Sequence, residues 1–505
     1  STLTMNELSH HHNHHSSSSL SSSTSETLSS SNDFDVSLRC SVPILTPYTL
    51  NISLIDPIHT VRLMIQCFGT NNGIGDGSNV GVNSEGIHHL QPIFQFDDPH
   101  SSSINRQSIF PQQQQSLYQR STLLRTSNIG HHHQQQPFEH LHSLQSLQID
   151  DCLFDRIPTD TFRGLSSLKN LTIRRASSSS SSTSNIHDDN HNNNNGDQSS
   201  SSRLNDESLL VEPYSFRHVE STVEHLDLSQ NHIESLPNDL FCPFLTLHTL
   251  NLSYNHLINL ASFGLIDPAT GRLCLQELHH LDLSNNRLEF VPETSGVAAL
   301  KNLQHLNLSA NHITEITELA FSALRRLHVL DLSGNRLRTL PGRMFRDSDE
   351  LRELHLANNG LIELPIGLFQ GLSKLQVLNV AGNQITSDTL TSDTFADLIR
   401  VIVLDISGNN LRRLPASTFQ NQYSLQVLSL EYNELETIDE GAFSTLYNLH
   451  KLKLAGNRFR HLPESILSGL FVLQQLLLSH NQLEHVHEDA FKNCSNLQVS
   501  YWIFV

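Results

Sequence analysis

The sequence predicts an α/β solenoid: a chain that grows coil by coil along one axis, with a parallel sheet on a concave side and a mostly irregular convex side. Three observations predict it. One phrase, clearest as Leu327-His-Val-Leu330-Asp-Leu332-Ser-Gly-Asn335-Arg-Leu337-Arg-Thr-Leu340-Pro341, recurs from Leu144 onward. Its ninth residue returns as Asn231, Asn255, Asn286, Asn311, Asn335, Asn359, Asn383, Asn409, Asn433, Asn457 and Asn481, with seven of the ten steps 24 residues long and the others 25, 26 and 31. Ten residues past that slot stand Phe162, Phe241, Phe321, Phe345, Phe369, Phe419, Phe443 and Phe491.

This is the leucine-rich-repeat signature, and each part of it has a physical reason. In Leu-x-x-Leu-x-Leu the last two leucines alternate with exposed residues, so the segment is a short strand with one buried face. Stacking coils about 4.8 Å apart pairs these strands into a parallel sheet, and Leu337, Leu340 and Phe345 fill the interior behind it. The turn after the strand leaves buried backbone groups unpaired, and an Asn amide both donates and accepts there. The phenylalanines stack into a spine of packing residues. Two earlier repeats start at Leu144 and Leu168, the first with Cys152 in the Asn slot, and a fragmentary one runs through Leu210 and Phe216.

Around the repeats, composition sets the organisation. Residues 1–38 read as a disordered Ser/His-rich segment, 39–70 as an N-terminal capping element flanked by Cys40 and Cys67, and 71–140 as a low-complexity linker. The repeats occupy 141–499 with a disordered insertion at 176–203, and 500–505 form an aberrant truncated end, where Ser500 and Trp502 fall in leucine slots. With 31 basic against 51 acidic residues, nucleic acid and anionic lipid are disfavoured as partners, and a basic patch on another protein is the natural complement. No apolar run reaches the roughly 20 residues that span a bilayer.

Cys242 precedes Leu247 by five residues and Cys274 precedes Leu278 by four, so matching sites on adjacent coils fall within disulfide reach. That bridge and one between Cys40 and Cys67 are expected; Cys494 has no evident mate. Glycosylation sequons stand at Asn51, Asn170, Asn251, Asn307 and Asn493. Cysteines and sequons together favour an extracellular compartment over an intracellular scaffold. No HExxH, Gly-x-Ser-x-Gly, phosphate loop or CxxC pair is present, so no enzyme, cofactor or metal is expected, and the histidine run His10–His12 with His14 and His15 has nothing to fix its geometry. On the exposed strand positions His225, His280 and His305 share a strip with Asp227 and Asp282, and Asp331 and His355 continue it as binding candidates. Those imidazoles titrate between about pH 5 and 7, which would neutralise the acidic strip.

Several segments go beyond generic repeat grammar: Leu144-Gln-Ser-Leu-Gln-Ile-Asp-Asp-Cys152, Phe241-Cys242-Pro243, Thr394-Phe-Ala-Asp-Leu-Ile-Arg400, Leu446-Tyr-Asn-Leu-His450 and Phe491-Lys-Asn-Cys-Ser495. In these the chain resembles the ectodomains of arthropod long Toll receptors, over roughly 141–499. The resemblance implies a single-pass receptor at the outer face of the plasma membrane. It would bind a protein ligand of the cystine-knot cytokine type or a partner receptor, and signal through a cytoplasmic TIR domain. A membrane would then be reached only through a C-terminal segment missing from this chain. The competing reading is a secreted or membrane-tethered leucine-rich-repeat adhesion protein.

Overall fold

The structure is a computed structural model and describes residues 3–4, 34–40, 60–67, 138–150, 156–174, 208–260, 265, 267, 270–462 and 464–501. The candidate Asn51, Cys152 and the insertion at 176–203 lie outside the described residues.

Every repeat phrase lays one strand into a single sheet. From Ser146–Asp150 the order runs through Asn170–Arg174, His225–Asp227, Thr249–Asn251 and His280–Asp282 to Val499–Tyr501, each strand parallel to the one before. Register follows the leucines. Leu226 faces Leu250, Leu281, Leu306 and Leu330 across successive strands, all at most 2% exposed. Ser500 takes the same register position opposite Leu476. Phe34–Cys40 and Thr60–Cys67 prolong the sheet in parallel at the other end, with Cys40 and Cys67 as Cα partners, and Thr60–Cys67 pairs with Ser146–Asp150. The segment expected to cap the repeats thus contributes strands to the sheet, the first of which begins at Phe34, inside the segment that composition assigns to disorder.

Behind the sheet the chain turns. The helical pieces among the described residues are the 3-10 turns Val297–Ala299 and Ser387–Thr389. Short parallel pairs such as Arg413–Leu414 with Thr437–Ile438 tie some coils on this side. The aromatic spine brings phenylalanine rings of neighbouring coils into contact in two stretches. Phe162 stacks between Phe138 and Phe216 at 6.3 and 5.8 Å. Phe395 stands twelve residues past Asn383 because its coil is 26 residues long, and it still stacks between Phe369 and Phe419 at 6.2 and 6.1 Å. Coils without a phenylalanine fill the slot with Leu265, Val297 or Leu467, all buried.

The asparagine ladder joins each coil to the one before it. Asn359 Nδ2 donates to its own coil at Leu356 O (3.2 Å) and to the preceding coil at Leu332 O (3.0 Å), while its Oδ1 accepts from Leu337 N–H at 3.1 Å. The same pattern holds at Asn255, Asn286, Asn311, Asn335, Asn383, Asn409, Asn433, Asn457 and Asn481. Asn231 donates to Leu228 O and Ile173 O in the same way. The residue before each Asn adopts positive φ from Gln230 (62°) to His480 (56°), which is why Gly recurs there. At Gly456 a Cβ would meet the Tyr432 ring at 2.5 Å. The 31-residue step carries its extra length in a loop that returns through Cys274, which is bonded to Cys242 with a Cα separation of 4.5 Å. Cys494 is buried with a free thiol, and burial pushes that thiol's pKa up.

Replacing Asn359 by Leu leaves the buried Leu337 N–H without its acceptor and takes one of two donors from each of the Leu332, Leu356 and Ala357 carbonyls. It should lower unfolding free energy by about 1–3 kcal/mol, read as a fall in the urea midpoint; an unchanged midpoint would remove the ladder from the account.

Candidate functional site

Strand alternation sends the third and fifth positions of each phrase outward on the sheet face, where packing does not choose them. In chain order the third position reads Asn170, His225, Thr249, His280, His305, Val329, Glu353, Val377, Val403, Val427, Lys451 and Gln475. A groove of roughly 490 Å³ lies across this face, lined by Asn251, His280, Asp282, His305, Asp331 and His355 among others. The structure therefore gathers most of the sequence candidates into one place. His225 stands outside that lining, one strand beyond Thr249.

Histidine packing is denser than the third position alone suggests. The rings of His280 and His305 stack at 4.3 Å, and His328 meets His305 edge-on at 6.5 Å. His248 and His279, at the second position, stack at 5.2 Å. Burial first, then the neighbouring imidazoles of His305, His279 and His225, push the His280 pKa down. His305 is lowered by burial and His328, with Glu353 opposing. His328 is lowered by burial and Arg352, with Glu350 opposing. These rings therefore hold their protons less well than free imidazole. His355 pairs with Glu353 at 3.6 Å.

The fifth-position carboxylates have a second duty. Asp227, Asp282 and Asp331 each accept, through Oδ1, the N–H of the serine two residues on, at 2.9, 2.9 and 2.8 Å. Asn251, Asn307, Asn379 and Asp405 do the same. An Asp or Asn is wanted there to close the turn. Asp227 is further engaged, its Oδ2 accepting from Arg174 Nε (3.2 Å) and Nη2, and that bond raises the Arg174 pKa. Asp282 and Asp331 also line the groove.

Two apolar features escaped the reading by histidines and carboxylates. Val329, Val377, Val403 and Val427 form a column on the sheet face, interrupted by Glu353. On the edge where each coil enters its strand, Ile399, Tyr423, Tyr447 and Phe471 stand 24 residues apart and 47–54% exposed. Their backbone is held from the next coil: Ser424 Oγ donates to Ile399 O (3.1 Å), Asn448 Nδ2 to Tyr423 O (2.7 Å) and Asn496 Nδ2 to Phe471 O (3.2 Å). The signal was present as an apolar residue returning with the repeat period in an exposed slot. Of the sequons, Asn170, Asn251 and Asn307 lie on the sheet face, and Asn493 lies in a turn behind it.

Family models described as leucine rich repeat match residues 276–337, 301–361, 349–411, 399–459 and 447–499, and a single repeat matches at 222–244. Toll-like receptor 7 of Drosophila melanogaster is 37% identical over 164 residues, 32% of this chain and 10% of that protein. The chain carries leucine-rich repeats similar to those of Toll-type receptors. Its fold matches Toll in the structure of the Drosophila Toll–Spatzle complex with a TM-score of 0.58, 22% identity, and coverage of 72% of this chain and 43% of Toll. It also matches the TLR13–ssRNA13 complex, with a TM-score of 0.52, 25% identity, and coverage of 69% and 50%. The chain spans a tenth of the curated relative's length.

Since the folded pKa values of His280 and His305 lie below the ordinary imidazole value of 6.5, protonation favours the unfolded chain. The stability they contribute is fully present above that value and is lost as pH falls through the lowered values. The His280→Gln/His305→Gln variant should therefore lose less stability than wild type between pH 7.5 and 5.5 in urea unfolding; an equal or larger loss contradicts the lowered values.

Proposed function

We propose that the chain is the ligand-recognising ectodomain of a Toll-type receptor, extracellular in the complete protein, binding a protein rather than catalysing a reaction. The observation that carries this reading is the sheet face itself, on which rigid strands present side chains that the core does not require. In the Toll–Spatzle structure a receptor of this fold meets a protein. For this chain the proposed partner is a cystine-knot cytokine or the surface of another receptor, and in the full-length receptor a TIR domain would carry the signal. Among the described residues no helix is long and apolar enough to cross a membrane.

The contact is proposed to lie between Val329 and Leu477. The sheet-face sequons Asn170, Asn251 and Asn307 all precede that stretch, and glycans there would cover the histidine groove. Beyond Asn307 the face carries the valine column, ending at Lys451 and Lys453. Apolar side chains inside a polar rim are the usual centre of a protein contact. The TLR13–ssRNA13 structure makes RNA the other ligand class for this fold, and a formal net charge of -20 argues against it here.

Val403→Arg should weaken binding to a Spatzle-type cystine-knot protein by roughly tenfold or more in surface plasmon resonance, and Ile366→Arg, an exposed site behind the sheet, should not. Equal losses in both variants, or saturable binding to single-stranded RNA and to no protein, would reject the proposal.

A further inference from the structure

Far from the sheet face, two neighbouring coils bring a second set of polar groups together. Ligand atoms of Glu464, His487 and Asp489 all lie within 4.8 Å of one another. Glu464 belongs to the coil of the strand Lys451–Lys453, and His487 and Asp489 belong to the next, that of Gln475–Leu477. Just upstream, the paired strands His461–Leu462 and His485–Val486 stack the rings of His461 and His485 at 5.6 Å. Each coil thus presents both an imidazole and a carboxylate to the same exposed patch.

We propose that Glu464, His487 and Asp489 bind a divalent cation of the zinc class, which staples these two coils together. Two carboxylates this close repel each other, and among the described residues neither forms an ion pair with a lysine or arginine. A divalent ion between them removes that repulsion. Tetrahedral zinc with bonds of about 2.0–2.2 Å spaces its ligands about 3.3–3.6 Å apart. Donor atoms within 4.8 Å of one another stand close to that spacing. The imidazole selects zinc, copper or nickel over magnesium or calcium, which prefer oxygen-only shells. The local cost is one exposed hydrogen bond, Asp489 N–H to His487 Nδ1 at 3.2 Å.

The position gives such a staple a purpose. Here the core thins: Leu483, Val486 and Phe491 are only partly buried, and the ladder residue Asn481 is half-buried where most earlier ladder residues are buried. An ion held across the coils would stiffen this end without adding apolar surface.

Hydrogen exchange read peptide by peptide, in the full chain with zinc chloride or magnesium chloride, separates this site from the histidine runs elsewhere. Zinc at about ten times its dissociation constant should slow exchange in peptides spanning 459–490 by about tenfold, and magnesium should not. His487→Gln and, separately, Asp489→Asn should abolish the zinc effect, with His487→Gln leaving metal-free exchange close to that of wild type. Zinc protection that persists in both variants, protection equally produced by magnesium, or no protection of these peptides would overturn the proposal.

Discussion

The rest of this structure depends on one side chain per coil. A chain that turns every 24 residues buries backbone N–H and C=O groups that no strand can pair, and leaving them bare in a dry interior is costly. The asparagine at the ninth position answers that cost for two coils at once. At Asn286, for example, Nδ2 donates to Leu283 O in its own coil (3.0 Å) and to Leu252 O in the coil before (2.9 Å), while Oδ1 accepts from Leu257 N–H at 3.0 Å. Each rung points backwards along the solenoid. Leucine packing supplies most of the favourable burial, and the rung adds to strand pairing a side-chain bond that fixes where one coil sits against its predecessor.

That division of labour creates the recognition surface. Because leucines and asparagines hold the coil, the third strand position is released from any packing duty, and histidine, valine, glutamate and lysine appear there in turn. The fifth position is freer than a glycine slot and less free than the third, since an Asp or Asn closes the turn through the N–H two residues on. The acidic residues of the strip therefore reflect backbone chemistry as well as any partner, whereas His280, His305 and the valine column have no such excuse. The stacked rings of His280 and His305, lowered in pKa by burial and by neighbouring imidazoles, set an aromatic patch beside the carboxylates Asp282 and Asp331.

Repeat period, strand register and ladder were legible because each is a local pattern repeated many times. Cys242 and Cys274 could be matched by counting back from Leu247 and Leu278, which is a measurement along adjacent coils. What the sequence hid was lateral. The second-position histidines His248, His279 and His328 join the cluster only because neighbouring strands set their rings side by side, and Phe395 joins the spine only because a longer coil shifts its slot by two residues. The Glu464, His487 and Asp489 group is assembled across coils from positions whose counts from the ladder asparagine differ. The strand Phe34–Cys40 starts inside a segment whose serine and histidine content reads as disordered, because composition averages over a window wider than one strand.

The direction of the rungs is the most exposed part of this account. Native-state hydrogen exchange of Asn409→Leu tests it directly, since Asn409 Oδ1 accepts from Ile385 N–H at 3.0 Å in the coil before, and Leu411 N–H in its own coil is held by Asn433 at 3.2 Å. The ladder predicts that the Ile385 amide loses protection together with neighbouring amides of the coil before, while the Leu411 amide keeps its wild-type rate. Equal loss at both amides, or loss at Leu411 alone, would contradict the claim that each asparagine secures its own coil to its predecessor.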